Sequence, residues 1–324
     1  MRLLVAQKVN DRMKDTIHKK IGNELDVAFL YGVDEKSRPG LLSSADVLLA
    51  MNIRRDVRDE EFRLLKNVKL VQITLAGADI IPYGEFSRDT AICSNSGAYS
   101  EPIAEHAIGM MLALARNFLP MHKDLSHGGF DQKTVHKMLG GSKLGIIGFG
   151  GIGKRTAEIA RAFGMKIFAV NRTGVSDEKI DFMGTLSDLS LVLRESDFIL
   201  LTIALNKRTK ALIGKNELDI MKPDAVLVNV ARGELIDEGS LYNHLKAHPQ
   251  FKAGIEAWWI EPFNHPKFEV RYPFFELENF LGSPHNSYLV AGIHLKALDA
   301  ALENILRFQR GEKVLNVQDR EDYF

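Results

Sequence analysis

Leu144-Gly145-Ile146-Ile147-Gly148-Phe149-Gly150-Gly151-Ile152-Gly153 decides the fold of this chain. Two apolar residues, Ile146 and Ile147, run into a G-x-G-x-x-G turn. Ile152, Ile159, Ala160 and Phe163 then recur at helical spacing, and Ile167 to Val170 form a second strand. A strand, a glycine turn, a helix and a strand in this order make a dinucleotide site. Gly148 allows the tight turn, Gly150 lets the backbone approach a pyrophosphate, and Gly153 lets the helix pack close to the sheet. Gly151 and Ile152 lie in the same turn, where helix N-terminal N–H groups and the helix dipole face an anion.

The end of the second strand bears on which dinucleotide is bound. An Asp or Glu about 20 residues after the glycines would accept hydrogen bonds from the ribose hydroxyl of NAD, but this chain has Asn171-Arg172-Thr173. No carboxylate is there to repel a 2′-phosphate. Arg172 can pair with one in a charge-assisted fork, and Asn171 and Thr173 can donate to it. NADP is therefore expected in preference to NAD.

At 324 residues the chain exceeds what one core usually holds, so two domains are expected, and 45% apolar content is ample for both. Lys plus Arg and Asp plus Glu each number 42, which leaves no basic field for nucleic acid or an anionic membrane. A single cysteine, Cys93, excludes an internal disulfide and a cysteine-rich metal centre, and no metal is expected. The opening Met1-Arg2-Leu3-Leu4-Val5-Ala6 is too short an apolar run for a signal peptide, which makes the cytoplasm the expected location.

Outward from the glycine turn, the pattern reads as α/β throughout. Leu3 to Ala6, Val27 to Tyr31, Val47 to Met51 and Val68 to Thr74 are apolar runs separated by amphipathic segments, as in a smaller unit with a parallel sheet. Met13, Ile17 and Ile21 form the buried stripe of a helix. A helix spans 101–116, and 120–141 has no evident core of its own. Strands follow at 198–203, 225–230, 253–257 and 280–281, interleaved with helices such as 240–247, making a doubly wound parallel sheet. A last helix covers about 289–310.

Three segments at the carboxyl ends of these strands carry ionisable groups. Arg232 follows Asn229-Val230-Ala231, Glu261 precedes Pro262 after Trp258-Trp259, and His285 follows Ser283-Pro284. An Arg beside a His–carboxylate pair suits reduction of a 2-keto acid. The Arg anchors the carboxylate and polarises the carbonyl, the His donates a proton, and the Glu holds the His. Singly each residue reads as a surface or structural group, but their order on one dinucleotide fold makes them a catalytic set. His106 lies in an apolar helix and reads as structural. His122, His127 and His136 lack ligand spacing.

Along nearly its whole length the chain resembles the D-isomer-specific 2-hydroxyacid dehydrogenases. The matching segments are Leu75-Ala76-Gly77-Ala78-Asp79, Ser94 to His106, the glycine fingerprint, Val228 to Asp237, Glu256 to Pro262 and Pro284-His285. The resemblance implies Arg232, Glu261 and His285 as the catalytic set, with Ala76 and Gly77 presenting backbone N–H groups to the substrate carboxylate. Val230 and Glu256 would face the coenzyme. It also implies a doubly wound Rossmann domain over 96–287 inserted into a smaller flavodoxin-like substrate domain made of 1–95 and 288–324. The stretch around 120–141 would be a dimer arm, so a homodimer is expected.

Departures from the family pattern are Glu256 in place of Asp, Ala204 in place of Pro, Tyr288 where a small residue is usual, and the Trp258-Trp259 pair. The similarity runs closest to the glyoxylate and hydroxypyruvate reductase branch, so the expected substrate is hydroxypyruvate or glyoxylate, giving D-glycerate or glycolate. Pyruvate, a branched 2-keto acid or a phosphorylated hydroxy acid are alternatives. A non-catalytic NAD(P)H-sensing module is a different class, which the intact triad disfavours.

Overall fold

The computed structural model describes residues 1–262 and 265–323. It divides into two compact units, Met1–Tyr99 with Val290–Phe324, and Ser100–Leu289.

In the first unit, β1 (Arg2–Val5), β2 (Asp26–Phe29), β3 (Val47–Ala50), β4 (Leu70–Ile73) and β5 (Ala91–Cys93) form a parallel sheet in the order β2-β1-β3-β4-β5. This is the flavodoxin-like order. Successive strand residues point to opposite layers. Leu3 and Val5 pack with Met13, Ile17 and Ile21 and with Leu298, Ala301, Leu302 and Ile305 of the Ile293–Gln309 helix. Leu4, between them, packs on the other face with Leu48, Val71 and Phe62. Burial on both faces explains why these strands are continuous apolar runs rather than alternating ones.

The second unit holds β6 (Lys143–Ile147), β7 (Lys166–Val170), β8 (Phe182–Gly184), β9 (Phe198–Leu201), β10 (Val226–Asn229), β11 (Lys252–Ile255) and β12 (Phe280–Gly282). All seven are parallel, in the order β12-β11-β10-β9-β6-β7-β8. The chain starts in the middle at β6, runs outward to β8, then crosses to β9 and runs outward the other way. This is the doubly wound Rossmann order, and the reversal between β6 and β9 opens a crevice at their carboxyl ends. Ile147, Ile199, Leu201, Leu227 and Ile255 fill one layer. Each such side chain is worth about 1.5–3 kcal/mol when buried.

Two local details differ from the sequence reading. The buried face of the Gly151–Ala162 helix is Gly153, Thr156, Ala157 and Ala160, while Phe163 is exposed beyond its end. Small residues there let the helix lie close to the sheet, a requirement that apolar spacing alone does not reveal. The stretch after residue 117 forms a short helix, Phe118–Ser126, with no buried residue.

Candidate active site

The glycine turn leaves β6 at the switch point. Gly148 has φ +103°, and a side-chain carbon there would run into the Thr202–Ile203 backbone, so both conformation and space require glycine. A Cβ at Gly153 would stand 2.6 Å from the Gly148 carbonyl oxygen. At Gly150 a side-chain carbon would meet open space, so this backbone presents a bare face. The Thr202 hydroxyl donates to the Gly148 carbonyl at 2.6 Å and ties the turn to the end of β9. The first N–H groups of the Gly151–Ala162 helix have no partner within the helix and face the turn. A cradle that a Cβ would fill, next to an open glycine and a helix N-terminus, fits a dinucleotide pyrophosphate.

At the end of β7, Asn171 hydrogen-bonds within its own loop. Its Oδ1 accepts from the N–H groups of Thr173 (3.0 Å) and Gly174 (2.7 Å), and its Nδ2 donates to the Val175 carbonyl (2.8 Å). Asn171 therefore shapes the turn, and its Nδ2 carries a second N–H besides the one given to Val175. Arg172 and Thr173 are exposed on that turn, and Arg172 pairs with no described carboxylate.

The three ionisable residues sit on loops after β10, β11 and β12. Asn229, fully buried at the end of β10, accepts from the Ala231 N–H (3.0 Å) and donates to the Arg232 carbonyl (2.7 Å). This local side-chain turn projects Arg232, which is half-buried and donates through Nη1 to the Ala231 carbonyl at 2.7 Å. Glu261, 5% exposed, receives the Trp258 N–H at 3.1 Å. His285 Nδ1 lies 2.7 and 2.8 Å from the two Glu261 oxygens.

His285 adopts φ +50°, an uncommon backbone state for a residue with a side chain. Its own N–H donates to the Glu256 carbonyl (3.0 Å), and the Ser287 N–H donates to Glu256 Oε1 (2.9 Å), so Glu256 brackets the turn.

Burial would raise Glu261, but the His285 hydrogen bond and charge, the Trp258 N–H and the Arg232 charge outweigh it and hold this carboxyl below its usual range. Glu261 is thus the ionised partner on Nδ1, leaving Nε2 as the nitrogen able to deliver a proton. Burial first, then the charges of Glu256 and Glu261, push the Tyr288 phenol up, which keeps it a donor. Glu256 is fully buried, and its Oε2, 4.0 Å from His285 Nε2, has no hydrogen-bond partner among the described residues. An orphaned buried carboxylate oxygen beside His285 fits an amide donor such as a nicotinamide carboxamide.

The structure thus brings together Arg232, Glu261, His285 and Glu256. Val230 is buried just after β10. Ala76 and Gly77 lie in the first unit in the loop after β4, and their N–H groups bond to no described residue. The sequence reading missed the supporting roles of Asn229 and Ser287. The Asn-x-x-Arg spacing at a strand end is the signal that was available for the first.

Residues 108–287 match the D-isomer specific 2-hydroxyacid dehydrogenase family, NAD binding domain. The chain is 32% identical over 247 residues to the hydroxypyruvate reductase of Thermotoga maritima, covering 76% of this chain and 78% of that protein. It is 30% identical over 316 residues to the D-3-phosphoglycerate dehydrogenase of Methanocaldococcus jannaschii, covering 95% of this chain but only 58% of that protein. Among solved structures, a glyoxylate reductase from Paecilomyes thermophila superposes with a TM-score of 0.81 at 25% identity over 99% of both chains.

Proposed function

The chain belongs to the D-isomer-specific 2-hydroxyacid dehydrogenases, and on that basis we propose that it reduces a small 2-keto acid, hydroxypyruvate or glyoxylate, to D-glycerate or glycolate. The observation that carries this reading is the Glu261–His285 pair at the strand ends shared with Arg232. Arg232 grips the substrate carboxylate with its planar fork and polarises the keto oxygen. His285 Nε2 donates a proton to that oxygen, and ionised Glu261 stabilises the imidazolium that gives it up. Bound coenzyme supplies the hydride. Tyr288 limits the length of the substrate.

The coenzyme is held by the turn Gly148, Gly150, Gly151, Ile152 and Gly153, with Val230 beside it and Glu256 receiving the carboxamide. NADPH is preferred to NADH, since Arg172 and Thr173 face the ribose end with no carboxylate beside them. The protein works as a homodimer in the cytoplasm. In support of a second copy, Phe118, Leu119, Leu125, Phe130, Val135 and Met138 all expose more than half of their surface within one short stretch.

Initial rates with NADPH and NADH against hydroxypyruvate, glyoxylate, pyruvate and 3-phosphohydroxypyruvate test the reading. NADPH-linked turnover of hydroxypyruvate or glyoxylate is expected to be fastest. Preference for the phosphorylated acid would transfer the assignment to the activity of the second relative, and no turnover of any would refute it.

A further inference from the structure

We infer that the neighbouring residues Trp258 and Trp259 are a positioning clamp that sets Arg232, Glu261 and His285 in register, one indole for each flanking loop. The inference rests on the proposed reductase reading for its kinetic consequence but not for its geometry. The Trp258 indole N–H donates to the Ser283 carbonyl at 2.7 Å, two residues before His285. The Trp259 indole N–H donates to the Ile236 carbonyl at 2.7 Å, in the turn that follows Arg232. The Trp258 backbone N–H holds Glu261. The peptide bond joining the two residues lies against Gly233, where a side-chain carbon would collide with it. Two adjacent residues therefore touch all three loops that carry the ionisable groups.

Buried indoles usually find an acceptor, so a bond alone would mean only a satisfied core. The choice of acceptors distinguishes these two. One is the Ser283 carbonyl, two residues before His285, and the other is the Ile236 carbonyl, at the end of the short turn that begins after Arg232. Both rings are themselves fixed. Trp258 is 5% exposed, with Phe268 and Phe280 edge-on to it, and Trp259 is 9% exposed and stacked on Phe274 at 7°. Gly282 completes the fit, since a Cβ there would stand 2.8 Å from Trp258 Cζ2. Catalytic groups supported in this way lose rate when the support is loosened, even though it never touches substrate.

Trp258→Phe and Trp259→Phe remove one donor each and keep an aromatic ring. Hydrogen–deuterium exchange should quicken in 283–287 for Trp258→Phe and in 231–236 for Trp259→Phe, each leaving the other loop unchanged. Kinetically, Trp258→Phe should lower kcat about tenfold with substrate KM within twofold, through His285. Trp259→Phe should raise the keto-acid KM about tenfold with a smaller loss of kcat, through Arg232. Should a Phe variant fail to fold, Gly282→Ala presses a methyl on the Trp258 ring and should reproduce the Trp258 pattern. Loosening spread over the whole unit, no loosening, or selective loosening without the kinetic split would each overturn the clamp. A wild-type protein that turns over no 2-keto acid would refute the proposed function, while the exchange pattern would still judge the clamp.

Discussion

His285 Nδ1 lies 2.7 and 2.8 Å from the two carboxylate oxygens of Glu261, while His285 itself is held at φ +50°. One carboxylate thus holds the ring through Nδ1 and orients Nε2 for its proposed role as proton donor.

Glu261→Gln keeps the shape but removes the charge that stabilises the imidazolium. The expected result is a fall in kcat on the order of a hundredfold, with coenzyme affinity unchanged, as measured by steady-state rates alongside fluorescence titration of NADPH.

The same pair makes stability depend on acid. Glu261 lies below its ordinary value in the folded protein. Its contribution is therefore present above the unfolded value of about 4.3 and is lost as pH falls through the lower folded value. Unfolding midpoints of the wild type and Glu261→Gln should differ at neutral pH and converge as pH drops below about 4.3. A gap that stays constant through that range would contradict the assignment.

Arg172→Ala should raise the KM for NADPH about tenfold or more, the cost of one charge-assisted contact, and leave the KM for NADH within twofold. Equal effects on both coenzymes would remove Arg172 from 2′-phosphate recognition.

Gly148→Ala combines strain at φ +103° with a collision against Thr202 and Ile203. It should destabilise the chain by more than about 1 kcal/mol and abolish coenzyme binding, which urea unfolding and NADPH titration would report separately.

Much of this was legible in the sequence, for reasons that particular residues make plain. Strands buried on both faces, such as Leu3 to Val5, write themselves as apolar runs. The turn at Gly148, Gly150 and Gly153 needs glycine for reasons of backbone and space, so it leaves a fingerprint. Short edge strands such as Ala91–Cys93 and Phe182–Gly184 were not legible, because three residues carry no period. The internal bonds of Asn171 to Thr173, Gly174 and Val175 were not legible, because they depend on loop geometry. Arg232, Glu261 and His285 were readable as types in order, and so was the pairing of Glu261 with His285. That Glu256 brackets the His285 turn, and that two indoles reach Ser283 and Ile236, depends on which loops the sheet order makes neighbours.

The most direct measurement is NADPH-linked reduction of hydroxypyruvate by the wild type and by Arg232→Ala, with NADPH binding followed by fluorescence in both. A 2-keto acid reductase should show fast wild-type turnover that Arg232→Ala lowers at least a hundredfold while coenzyme binding is kept. Wild-type binding of NADPH without turnover, or an Arg232→Ala variant as active as the wild type, would contradict the assignment.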